Sequence, residues 1–185
     1  MNQALSKQDI EDLLSQLSEK LGQRGLKAEI CLVGGAVMVL AFGSRESTHD
    51  LDGVFAPKAE VLTCVAEVGA ERKLPVDWLN KGVEGFLATN SEFISDGMRQ
   101  YSNLSIKRAS TEYMFAMKAM SARISGFGED KSNDSNDLEF LMKLLQLKTL
   151  DDCIKIVEKY YPSRVQPKTE YFIEETLQNV WGSKQ

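Results

Sequence analysis

One histidine, three cysteines and four prolines are all that this chain of 185 residues contains of those types. Each scarcity excludes something. One histidine and no clustered thiols leave no ligand set for a histidine-based zinc site. His49 stands between Thr48 and Asp50 on an extended stretch and so faces away from the neighbouring acid. It reads as structural or exposed, which removes a serine triad. Cys31, Cys64 and Cys153 are odd in number and share no zinc or redox spacing, as expected of a reducing cytoplasm. Few prolines, with 13 glycines, exclude disordered and collagen-like chains. Basic charge is not in excess: 22 Lys and Arg against 27 Asp and Glu give a net charge of −5. That argues against a broad basic surface coating nucleic acid. The longest apolar run, Ile30 to Gly43, is too short for a bilayer and is broken by Gly34-Gly35, so no membrane anchor is expected. The opening MNQALSKQDIEDLL mixes charge and amide throughout and does not read as a signal peptide.

What is present is patterning. Ile10, Leu13, Leu14, Leu17 and Leu21 mark one face of a helix, with Ser6 and Asp9 spaced to cap its start. Glu29 to Val33 reads as a short buried strand, and Ala36 to Phe42, apolar all round, as a buried helix. Asp50 to Phe55 reads as a second strand, Ala59 to Glu71 as a helix, and Pro75 to Asn80 as a third strand. Residues 81–100 carry no clear period. Leu104 to Lys107 reads as a further strand. From about residue 110 the pattern is helical. Thr111 is spaced to cap a stripe of Tyr113, Met117, Met120 and Ile124, and a polar loop covers Gly126 to Ser135. Later helices are expected from Leu138, over Leu150 to Tyr160, and over Thr169 to Trp181. The expected class is α+β, with a core over 1–109 and a helical region over 110–185.

Chemistry concentrates in Val33-Gly34-Gly35-Ala36 and Arg45-Glu46-Ser47-Thr48-His49-Asp50-Leu51-Asp52. Carboxylates at i and i+2 of a strand project from one face, a few Å apart, where they repel unless a cation lies between them. Such oxygens suit Mg²⁺, which takes one or two carboxylates and completes its shell with water and substrate phosphates. A glycine pair between strand and helix lets backbone N–H groups approach an anion. Each piece has a plainer reading: a tight turn for the glycines, a solvated strand face for the acids. Together they describe a phosphate cradle facing a metal-binding pair.

The order Gly-Gly, apolar helix, then Arg45-x-x-Thr48-x-Asp50-Leu51-Asp52 resembles the DNA polymerase beta-type nucleotidyltransferase superfamily. Within it, the likeness is to the AbiEii-like branch of toxin–antitoxin and phage-defence loci. Asp77-Trp78-Leu79-Asn80 is similar to a later family segment, and Ala116-Met117-Lys118, Arg123 and Asp134-Ser135-Asn136-Asp137-Leu138 to its C-terminal pattern. The resemblance covers roughly residues 30–145. It implies a minimal nucleotidyltransferase domain, a mixed sheet with flanking helices, followed by a helical part. It implies transfer of a nucleoside monophosphate from an NTP to an acceptor such as tRNA, another RNA or a protein. A cognate antitoxin or regulator protein is the implied partner.

By the same resemblance, Asp50 and Asp52 would hold Mg²⁺ or Mn²⁺, and Gly34 and Gly35 would meet the β- and γ-phosphates. Arg45 and Thr48 match the preceding family positions, and Asp77 is the one acid placed to be a third carboxylate. Lys118 has no acid at i±3 or i±4, so no ion pair within its own helix explains it. It reads either as a snorkelling lysine or, by resemblance, as a triphosphate-binding one. Asp134 and Asp137 fit helix-capping positions, and Asp137 also matches the family's second acid. Two other classes stay open: a non-catalytic nucleotidyltransferase-like module that binds a nucleotide or partner protein, and a plain interaction protein.

Overall fold

The computed structural model describes residues 4–121 and 133–182. They form an α+β structure with a mixed five-stranded sheet. The chain divides into two compact units, described separately below. Among the described residues, the first holds 4–87 and 93–109, and the second holds 88–92, 110–121 and 133–182. The segment 88–92 thus leaves the 1–109 span and belongs with the helices. Arg123, Ile124 and most of the expected polar loop lie outside the described residues. Residues 133–135 of that loop are helical.

The first unit opens with β1 (Leu5–Ser6) and helix α1 (Lys7–Gln23). The capping pair is formed as its spacing predicts: Ser6 accepts from the Asp9 backbone N–H, and the Asp9 carboxylate accepts from the Ser6 N–H at 2.9 Å. The stripe Ile10, Leu13, Leu14, Leu17 and Leu21 is fully buried. Strand β2 (Ala28–Val33) follows. The expected apolar helix is two pieces, α2 (Gly34–Val37) and a five-residue π-helical turn (Met38–Phe42) closed by Gly43 at φ 59°. Then come β3 (Ser47–Thr48), β4 (Leu51–Ala56) and α3 (Lys58–Arg72). After these lie β5 (Leu79–Asn80), β6 (Phe93–Ile94) and β7 (Leu104–Ala109).

The sheet order is β5-β4-β2-β7-β6, and β1 pairs with β3 as a separate ribbon. Strand β2 is central, antiparallel to β4 and parallel to β7. Alternation places Ile30, Leu32, Leu51, Leu104 and Ile106 on a buried face, while Glu29, Cys31, Asp52, Val54, Ser105 and Lys107 alternate with them and remain half-exposed. The period of two therefore carries Asp52 out of the core. One charge goes the other way. Arg108 is only 5% exposed. Its guanidinium donates to the Asp96 and Ala109 carbonyls, pairs with the Asp96 carboxylate at 3.1 Å, and lies over the Phe42 ring.

The second unit is built from α4 (Thr111–Ser121), α5 (Asn133–Leu144), α6 (Leu150–Tyr160) and α7 (Pro167–Trp181), with α4 packed against the other three. The cap of α4 is Ser110 rather than Thr111: Ser110 Oγ accepts from the Tyr113 N–H at 3.2 Å. The segment 88–92 is tied to these helices by side-chain oxygens. Tyr113 Oη accepts from the Ala88 N–H at 2.9 Å, and Tyr160 Oη and Ser110 Oγ donate to the Glu92 carboxylate at 2.6 and 2.9 Å.

These donors, Tyr160 first and Ser110 second, hold the Glu92 carboxyl below its ordinary value of 4.5. A carboxylate depressed on folding stabilises the fold above its unfolded pKa, and that stability is lost as pH falls through its folded pKa. Melting temperature should therefore fall less steeply in Glu92→Gln than in the wild type between roughly pH 5 and pH 3. Superimposable acid limbs in a thermal-melt series would contradict this role.

Candidate functional site

In the first unit, strand β2 delivers the chain to Gly34, whose φ of +65° lies in the left-handed region that glycine tolerates and other residues avoid. Antiparallel pairing of β2 with β4 sets Val33 opposite Asp52. The Asp52 carboxylate consequently lies over the glycine turn: a Cβ on Gly34 would stand 3.3 Å from Asp52 Oδ2. The next residue is more confined. A Cβ on Gly35 would meet Thr48 Oγ1 at 2.6 Å and Arg45 Nη1 at 3.3 Å. Any side chain at Gly35 would displace both. Thr48 is buried, and its hydroxyl donates to the Asp50 carbonyl at 3.2 Å. It thereby fixes the backbone just before β4.

Six of the residues singled out in the sequence thus converge: Gly34, Gly35, Arg45, Thr48, Asp50 and Asp52. Two details correct the expectation. Asp50 precedes β4 instead of lying on it, because that strand's pairing begins at Leu51, whose N–H donates to the Trp78 carbonyl at 2.8 Å. Asp77 is not on a strand at all. The expected third strand shrinks to Leu79–Asn80, and Asp77 sits exposed on the preceding turn. The cause is Trp78, which is buried and donates from Nε1 to the Val65 carbonyl at 2.9 Å, so the chain must bend before it can pair.

The strand residue opposite Asp52 is Asn80, whose Nδ2 stands 3.4 Å from Asp50 Oδ2. Asn80 closes the segment Asp77-Trp78-Leu79-Asn80, but as an amide it carries no charge to mark it in the sequence. Only its register with Asp52 marks it.

Among the described residues no three His, Cys, Asp or Glu side chains are grouped to hold a metal. The donor set is the carboxylate pair, half-exposed at Asp52 and exposed at Asp50. That set fits a Mg²⁺ or Mn²⁺ ion that keeps water and shares substrate phosphates, and does not fit an all-protein cage. The nearest thiol on this face of the sheet, Cys31, is no competing nucleophile. Burial first, then the Glu29 carboxylate, pushes it up to about 11, so it stays protonated at neutral pH.

Lys118 and Asp137 lie in the second unit, and there they meet. Lys118 Nζ pairs with Asp134 at 2.7 Å and with Asp137 at 2.8 Å, joining α4 to α5. The ion pair that could not be found within its own helix is made across two. Lys118 is 8% exposed and Asp137 2%. The ammonium is already engaged by two carboxylates, so its observed role is to join helices. Asp134 lies within the first turn of α5 and pairs with Lys118.

No known relative decides between these readings. No family model matches the chain, and no characterised protein or solved structure does. Among the described residues no helix is long and apolar enough to cross a membrane.

Proposed function

We propose that the first unit is a metal-dependent nucleotidyltransferase domain of the polymerase beta type, moving a nucleoside monophosphate from an NTP to an acceptor. One observation carries this reading. Asp52 stands against the left-handed Gly34, next to a Gly35 closed in by Thr48 and Arg45. The Asp52 carboxylate and the glycine turn are within a few Å of each other, with Asp50 two residues before it. Asp50 and Asp52 would hold a divalent ion, whose charge would stabilise the triphosphate and the leaving pyrophosphate. The chain's own residues do the positioning. Gly34 leaves the main chain open to phosphate, Gly35 lets Thr48 and Arg45 pack against the turn, Arg45 supplies a positive charge and a planar donor fork there, and Thr48 holds the Asp50 backbone.

The test is label transfer. Purified full chain incubated with each α-labelled NTP, Mg²⁺ and cell extract should label an acceptor, and a chelator should abolish the labelling. No transfer from any of the four NTPs overturns the reading. Mass spectrometry of the labelled material names the acceptor class, RNA or protein. The toxin or defence role implied by the sequence resemblance has its own readout: overexpression slows growth and Asp50→Ala relieves it. Equal growth of the two strains removes that role and leaves the chemistry untouched.

A second reading is favoured by Asn80, since an amide stands beside Asp52 where a third carboxylate would otherwise strengthen the site. On that reading the unit binds a nucleotide without transferring it. Calorimetry showing Mg²⁺-dependent NTP binding, with no label transfer, selects it.

A further inference from the structure

We propose that Asn80 is a positioning residue that limits the acidic pair to one divalent cation, taken up together with the nucleotide's phosphates. This rests on the nucleotidyltransferase reading above. Strand β5 runs parallel to β4 and sets Asn80 opposite Asp52. The orientation of its amide follows from the turn that comes next. The Gly82 backbone N–H donates to Asn80 Oδ1 at 2.9 Å. A backbone N–H must meet an acceptor, so the oxygen is fixed on the Gly82 side. The NH₂ group is left facing Asp50, with Nδ2 3.4 Å from Asp50 Oδ2.

Asn80 therefore presents hydrogen atoms and not lone pairs to the Asp50 carboxylate, and in that orientation it cannot serve as a cation ligand beside it. Two ions held 3.5–4 Å apart, as in two-metal sites, bring four positive charges. Here the described residues offer two carboxylates and no third His, Cys, Asp or Glu grouped with them. A single ion held by both carboxylates would still need further oxygen ligands, which water and triphosphate would supply. The free cation should bind weakly and the cation–nucleotide complex well.

The experiment is a Mn²⁺ titration of the full chain, followed by the electron paramagnetic resonance signal of the free ion. The wild type should bind one Mn²⁺ per chain. Asn80→Asp keeps the size of the side chain and an oxygen for the Gly82 N–H, and it adds a third carboxylate. Its Mn²⁺ affinity should rise about tenfold, or a second ion should appear. Asn80→Ser, a second variant, should change the affinity by less than about threefold, because no ligand is lost. Two ions on the wild type, or an Asn80→Asp affinity within threefold of the wild type, overturns the proposal while label transfer continues to support the parent reading. No Mn²⁺ on either protein, and no Mn²⁺-dependent binding of any non-hydrolysable NTP, overturns both.

Discussion

Asp52→Ala is expected to lower nucleotidyl transfer by about a thousandfold or more. Asp52 is the carboxylate that β4 places against the glycine turn, 3.3 Å from where a Gly34 Cβ would be. Removing it takes away half of the acidic pair and the negative charge nearest the glycine turn. Ligand-mediated stabilisation of a phosphoryl-transfer transition state is worth several kcal/mol, and about 4 kcal/mol corresponds to three decades of rate. Asp50→Ala should fall by a comparable factor. Asp77→Ala should retain full rate, because Asp77 sits exposed on a turn outside β5. Single-turnover transfer under saturating NTP separates these outcomes. A rate for Asp52→Ala within tenfold of the wild type, or a loss in Asp77→Ala equal to that in Asp52→Ala, would sink the assignment. A thermal melt of each variant shows whether the loss is chemical, since Asp52 is half-exposed and lies outside the apolar core.

The largest expected effect on stability lies in the second unit. Lys118→Met should cost about 3 kcal/mol, which for a chain of this size is a drop in melting temperature of roughly 6–12 °C. The reason is less the loss of the ion pair than what it leaves behind. Asp137 is 2% exposed, and without the ammonium at 2.8 Å it becomes a buried charge short of its cationic partner. Asp134 is more exposed and close to the helix start, so Asp134→Ala should cost under about 1 kcal/mol. The double variant Lys118→Met/Asp137→Leu should recover much of the lost stability, since well-packed apolar side chains often replace a buried ion pair without loss. If the double variant is as unstable as the sum of its parts, the two residues are not the coupled pair the geometry describes. If instead Lys118→Met melts like the wild type but loses NTP binding, the phosphate role implied by the sequence resemblance regains its place.

Much of the local structure was legible in the residues. The stripe from Ile10 to Leu21 and its Ser6–Asp9 cap, the buried strand before Gly34-Gly35, and the helix Leu150 to Tyr160 all follow from periodicity and capping chemistry. Those forces act within a few residues, so a linear text records them. The converging site was legible in part: the glycine pair and the acid pair each have a plainer reading, and only their combination along the chain set them apart. The ribbon of β1 with β3, which brings Thr48 onto Gly35, was not legible. Two strands of two residues each are too short to show a period.

Sequence alone determined the α+β class, the helical character after residue 110, and which side chains are chemically able to meet a cation and a phosphate. Tertiary structure decided which of them stand together. Trp78 had to be buried before Asp77 was turned out to solvent and Asn80 brought beside Asp52. Lys118 had to cross from α4 to α5 before its partners were known. In each case the deciding contact joins residues far apart or on different elements, and its energy depends on burial that no local pattern encodes.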